Sequence, residues 1–215
     1  MKGKSIIILA FQKHMDFELE IYLLRHAMSI ANEKGLVCGS VDFPLSKNGI
    51  VQADLICKSL KKIHFTLAYT SPLSRAIDTI KGIMENLKFN IVTQISELDT
   101  GDASRMTLEN LWKLDDRYRA PWLYPYLRYP GGECFNEMVS RIQSWFLNES
   151  QNWKEDDTVL IVGHEGTIRT ILMSLFKLDL SEYPEFPIKN CDCFHIFMKN
   201  GFLEEAKHLT LEDIG

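Results

Sequence analysis

No apolar run in this chain is long enough to cross a membrane. It has no glycine-rich dinucleotide fingerprint and no lysine-containing loop of the kind that cradles nucleotide phosphates. Positive charge is in short supply. Lys and Arg number 24 against 29 Asp and Glu, a net charge of −5. Lys58, Lys61 and Lys62 read as a solvated helix end, and no longer basic block exists. These absences argue against nucleic acid and membranes as partners. Cysteine is sparse and irregular, with five residues and no zinc spacing: Cys191-Asp192-Cys193 has no second pair to complete it. Reduced thiols in a cytoplasmic protein are the expectation. Internal repeats, linkers and low-complexity segments are also missing.

The N-terminus carries lysines followed by Ser5-Ile6-Ile7-Ile8-Leu9-Ala10-Phe11. The apolar part is too short for a secretory leader, and Gln12-Lys13-His14 offers no small-residue cleavage site. Residues 1–18 are expected to be an extension carrying an extra edge strand or following an upstream start codon; Met15 could begin a complete domain.

What remains suits one large α/β domain over residues 19–215. The chain has 215 residues, 46% of them hydrophobic and 11% aromatic, enough for a substantial core. Short apolar runs alternate with helical patterns. Strands are predicted at 19–25, 66–70, 91–95, 158–163, 193–198 and 202–207, with Asn200-Gly201 turning the last pair into a hairpin. Helices are predicted at 46–62, from Ser71-Pro72 onward, at about 107–117, from 135 to about 148, and at 167–176. Residues 103–130, rich in aromatic and charged side chains and broken by prolines, read as a lid-like insertion. The alternation predicts a three-layer α/β/α sandwich with a mostly parallel central sheet.

Chemistry gathers where apolar runs stop. Ile21 to Leu24 ends in Arg25-His26, and Val159 to Gly163 ends in His164, with Gly166 and Arg169 beyond. A buried parallel strand delivers functional groups at its C-terminal end. Arg75 falls in the first turn of a predicted helix after the strand at 66–70, where an anion is already favoured. Two strand-end imidazoles with converging arginines suit a phosphoryl group, which carries charge on three oxygens and needs fixed donors and an in-line nucleophile. One imidazole can attack through an unprotonated nitrogen. The departing alkoxide then needs an acid. Glu97 is the first choice, with Asp99, Asp102 and Glu133 behind it.

At these residues the chain resembles the histidine phosphatase superfamily, which includes the phosphoglycerate mutases. The likeness spans about residues 19–198. It is carried by Arg25, His26, Ser29 and Asn32; by Gly39, Asp42, Pro44, Leu45, Ser46, Gly49, Gln52 and Ala53; by Ser71, Leu73, Arg75 and Ala76; by Ile95, Glu97 and Gly101; by Pro130-Gly131-Gly132-Glu133; and by Gly163, His164, Gly166 and Arg169. The resemblance implies a phosphoglycerate mutase-like fold. It implies His26 as nucleophile, Arg25, Arg75 and His164 as the phosphate pocket, Glu97 as proton donor, and Ser29 and Asn32 as nearby polar contacts. It also implies that no metal or organic cofactor is required.

The chain departs from the family pattern at four places, six residues in all. Ala27 stands for glycine, and Met28 removes a polar side chain. Ala103-Ser104-Arg105 stands where Trp-Glu-Gly is frequent, and Glu165 for the common glycine after the second histidine. Glu165 has two placements open. It either joins the substrate-contacting set by the pocket, where it would repel a second phosphate, or faces solvent, the plainer expectation. The insertion has the moderate length of small phosphatases such as the α-ribazole phosphatase group. The expected activity is hydrolysis of a small phosphomonoester through phosphohistidine. A phosphoglycerate mutase, served by Arg105, Arg117, Arg119 or Arg128, and a phosphate-binding pseudo-enzyme are the alternatives. The oligomeric state is open, a homodimer among the options.

Overall fold

A computed structural model of the chain describes residues 18–84, 87–185 and 187–214. The edge strand expected within residues 5–11 lies outside them. The chain forms β1 (Glu18–Arg25), α1 (Ile30–Glu33), α2 (Lys47–Leu60), β2 (Leu67–Thr70), α3 (Ser74–Ile80), β3 (Asn90–Ile91), α4 (Leu108–Leu114), α5 (Phe135–Ser150), β4 (Asp157–Gly163), α6 (Glu165–Phe176), β5 (Cys193–Lys199), β6 (Phe202–Leu209) and α7 (Leu211–Ile214).

The strands make a six-stranded mixed sheet in the order β3-β2-β4-β1-β5-β6. The β3, β2, β4 and β1 strands run parallel; β5 and β6 run antiparallel to β1 and to each other. Central strands covered on both faces read as continuous apolar runs rather than alternating ones. In β1, Leu19, Ile21 and Leu23 pack with α5 and α6, while Tyr22 and Leu24 pack with α2 and α3 on the other face. Each such buried aliphatic side chain contributes about 1.5–3 kcal/mol. The three-layer sandwich follows, and it is phosphoglycerate mutase-like.

Several elements differ from expectation. The third strand shrinks to Asn90–Ile91 because its partner β2 ends at Thr70; Val92 N makes the last bond to Thr70 O, and residues 93–95 coil into a 3-10 turn. The Ser71 hydroxyl does not start a helix. α3 begins at Ser74, and its cap comes from elsewhere: Asp42 Oδ1 accepts from Ser74 N at 2.8 Å. On α2 the buried stripe is Gly49, Ala53, Ile56, Cys57 and Leu60, while Ile50 is 54% exposed. The helix is turned because Gly49 backs onto the Met28 carbonyl, where a Cβ would come within 1.9 Å. α6 starts two residues early, directly at Glu165, with His164 in the cap position. The Asn200-Gly201 hairpin is as expected, both residues having positive φ. The insertion holds α4 and 3-10 turns around a small core of its own, Ala103, Leu111, Tyr118 and Tyr129. Among the described residues no helix is long and apolar enough to cross a membrane.

Candidate functional site

The parallel register sets the centre of the site. Leu24 pairs with Val162 and Arg25 with Gly163, so the next residues, His26 and His164, emerge side by side. His26 N donates to Gly163 O at 3.0 Å, and the imidazole rings stand 5.1 Å apart between centroids. Both side chains are buried. His26 Nδ1 lies 2.7 Å from the Ala27 carbonyl, which can only accept. Nδ1 therefore carries the proton and Nε2 keeps its lone pair. His164 Nε2 lies 2.8 Å from Ser71 Oγ. Ser71 Oγ also accepts from Leu73 N, and when its hydroxyl donates to Nε2 the imidazole hydrogen sits on Nδ1, which has no protein partner. Burial lowers the pKa of both imidazoles well below the usual histidine range, reinforced by the Arg75 and Arg25 charges.

Arg75 is buried at the start of α3 and held by backbone alone: Nη1 donates to Val41 O at 2.8 Å and Nη2 to Gly39 O at 2.9 Å. Gly39 has φ +51°, and a side chain there would strike Thr100 Oγ1 at 2.2 Å. The Gly39-to-Gln52 stretch thus works as a cradle. Its carbonyls aim Arg75, Asp42 caps the helix carrying Arg75, and Gln52 Oε1 accepts from Met28 N at 2.9 Å. Ala27, the departure beside His26, is fully buried, and its N donates to Thr79 Oγ1 at 2.8 Å. Among the described residues the buried side-chain polar atoms without a partner are Nε of Arg25, Arg75 and Arg169, Nδ1 of His164 and Oγ1 of Thr170. Buried donors are costly unless an acceptor meets them. Here the guanidinium donors accompany two histidines at one sheet edge.

Glu97 reaches the start of α6, just beyond His164. Its Oε1 accepts from Leu98 N at 3.0 Å and Oε2 from Gly166 N at 3.4 Å, in the first turn of α6, where a carboxylate is favoured. The segment behind it is clamped by Arg141, which belongs to none of the motifs. Arg141 Nη1 donates to Gln94 O and Ser96 O, each at 2.7 Å, and Nη2 to Glu97 O at 3.0 Å. Glu133 closes the clamp, 2.6 Å from Arg141 Nη2. This gives Pro130-Gly131-Gly132-Glu133 a structural reason. The other acid candidates are occupied or peripheral. Asp99 accepts from Ser40 and Gly101, Glu133 is tied to Arg141, and Asp102 is exposed.

Ser29 and Asn32 come close to His26 but chiefly cap α1. Ser29 is fully buried, its Oγ accepting from Asn32 N and donating to Asn32 Oδ1. Asn190, which the sequence also did not mark, donates to the His26 carbonyl at 3.0 Å and to Asn32 Oδ1 at 3.3 Å. Cys38 lies against this cap, its thiol pKa raised chiefly by burial. None of the five cysteines is in a disulfide. Glu165 does not simply face solvent. Its carboxylate bridges Arg25 Nη1, at 2.8 Å, and Arg169 Nη2. The arginines of the insertion are engaged. Arg117 pairs with Asp115, Arg119 with Asp116 and Arg128 with Glu137, while Arg105 lies over the Phe43 ring. Among the described residues no group of three or more His, Cys, Asp or Glu side chains is arranged to hold a metal.

Known proteins are similar to this chain in sequence and fold. Phosphoserine phosphatase 1 of Hydrogenobacter thermophilus is 30% identical over 198 residues, covering 90% of this chain and 91% of that one. A 2,3-bisphosphoglycerate-dependent phosphoglycerate mutase of Bartonella henselae is 29% identical over 175 residues, covering 77% and 85%. The crystal structure of the alpha-ribazole phosphatase from Shigella flexneri has the same fold, with a TM-score of 0.77 at 24% identity over 91% of this chain and 98% of that chain. The model of the histidine phosphatase superfamily (branch 1) matches residues 21–206, and the chain belongs to that family.

Proposed function

We propose that the protein hydrolyses a small-molecule phosphomonoester through a phosphohistidine on His26, without a metal or organic cofactor. One observation carries this reading: His26 has its lone pair on Nε2 and stands beside His164, within reach of the Arg25 and Arg75 charges, whose buried Nε atoms have no partner. In the first half-reaction Nε2 attacks phosphorus in line. The P–N bond forms as the P–O bond to the leaving alcohol breaks, and a protonated Glu97 gives its proton to the alkoxide. Arg25, Arg75 and His164 Nδ1–H hold the equatorial oxygens as charge builds. In the second half, Glu97 takes a proton from water, the oxygen attacks phosphorus, and the P–N bond breaks to release phosphate and His26. Ser29, Asn32 and Asn190 support His26 from behind.

The paired arginines of the insertion favour a phosphatase over a mutase, which needs spare cations to retain a phosphorylated product. The phosphoserine and ribazole phosphatases among the relatives support a small organic ester as substrate. The test is phosphate release from an aryl phosphate with chelator present. The unaltered protein is expected to stay active, and His26→Ala to lose at least about 10³-fold. A mutant that keeps its activity removes His26 as the nucleophile. Binding of phosphate without turnover in the unaltered protein would instead identify a pseudo-enzyme.

A further inference from the structure

Glu165 opens α6 one residue after His164. Its carboxylate touches two guanidiniums from different elements: Oε2 is 2.8 Å from Arg25 Nη1 at the end of β1, and Oε1 pairs with Arg169 Nη2 one turn along α6. Each arginine side chain is only 14% exposed, against 34% for Glu165. Arg169 is further fixed by lying over the Tyr183 ring, 5.2 Å from its centroid. Arg25 is fixed by Ile188 O. Both arginines keep a buried Nε with no partner. Two convergent, half-satisfied guanidiniums make a good anion subsite. In this chain the anion between them is the protein's own.

The charges show what that carboxylate does. Arg25, Arg75 and Arg169 carry three positive charges, and Glu165, shared between Arg25 and Arg169, cancels one of them. The two left balance one phosphoryl dianion and leave none for a second anionic group beside it. We propose that Glu165 is a specificity-determining residue: it makes the pocket accept a single phosphoryl group and disfavour substrates carrying a second phosphate next to it. The idea rests on the pocket being a phosphoryl site. It separates this chain from enzymes that handle bisphosphorylated metabolites through chemistry local to one side chain, independent of the insertion. A purely structural Glu165, one that only steadies Arg25, would affect one phosphate and two alike.

The experiment is calorimetric titration of inorganic phosphate and of methylenediphosphonate, a non-hydrolysable pair of linked phosphoryl groups, into the unaltered protein, Glu165→Gln, Arg169→Gln and the double variant. Glu165→Gln keeps the shape and removes the charge. It is expected to shift the preference towards methylenediphosphonate by about tenfold, and the double variant to lose that gain. Arg169→Gln alone, which leaves Glu165 beside Arg25, should shift the preference several-fold the other way. It serves as the test if Glu165→Gln does not fold. A preference that stays within twofold across the folded variants, while phosphate still binds, overturns the proposal and leaves the phosphoryl pocket standing. Failure of the unaltered protein to bind phosphate at all overturns both.

Discussion

Gly166 has no room for a methyl group. A Cβ there would lie 2.4 Å from Glu97 Oε1 and 2.8 Å from Met138 Sδ. The glycine is what lets the Glu97 carboxylate reach the first turn of α6. Gly166→Ala is therefore expected to push the carboxylate aside by about 1 Å, which costs on the order of 10²-fold in kcat when an acid must meet a leaving group in line. Overpacking against Met138 adds about 1–3 kcal/mol of destabilisation. Steady-state kinetics beside a melting curve separates the two effects. A folded Gly166→Ala protein with unchanged kcat would show that Glu97 is not positioned from this side. Arg141 acts on the same carboxylate from the other direction, through backbone carbonyls of the segment that carries it.

At the scale of elements, α3 matters most because it carries Arg75 yet has no capping side chain of its own. Asp42 supplies the cap from the preceding loop, accepting from both Ser74 N and Ser74 Oγ at 2.8 Å. Asp42→Ala should cost about 1 kcal/mol of stability, the ordinary worth of such a cap. It should also raise KM more than it lowers kcat, since a frayed first turn loosens the Arg75 grip on phosphate before it touches the acid. Urea denaturation and initial rates check both. The ends of β1 and β4 were legible in the sequence because a strand buried on both faces is an apolar run that stops abruptly, and His26 and His164 sit at the stops. Arg75 was legible as a first-turn residue, and Glu97 by its place after the next apolar run. Arg141 was not, because its bonds reach a segment far away in sequence, and on a helix pattern it reads as one more solvated arginine. The partners of Glu165 were hidden for the same reason, and Ser71 was misread because serine before proline is a common cap whereas its contact with His164 depends on β2 lying beside β4.

For the whole molecule, buried titrating groups set the pH range of stability. Burial holds the His26 and His164 pKa values below the ordinary 6.5, so as pH falls through that value the unfolded chain takes up protons that the native state refuses. Stability should therefore decline on the acid side, starting near pH 6.5. At the other end, burial raises the thiols of Cys191 and Cys193 from 9.0 to about 12, so the unfolded chain gives up protons first as pH rises above 9. Stability should decline there too, until pH reaches about 12. Melting temperature across pH in phosphate-free buffer tests this. His164→Asn, if it folds, should flatten the acid limb, and an unchanged limb would assign it to carboxylates instead.

The sheet order has a kinetic consequence. β1 is made first, yet its neighbours on both sides, β4 and β5, lie in the last third of the chain. Until they are synthesised, the apolar faces of Ile21 to Leu24 have no strand to pair with, and closing so long a loop is slow. During synthesis the nascent chain must carry an unpaired apolar strand for most of its length, the situation in which chaperones are needed. His26 and His164 meet only when β4 pairs with β1, so catalytic competence waits on a long-range pairing and reports that these two strands have found each other in register.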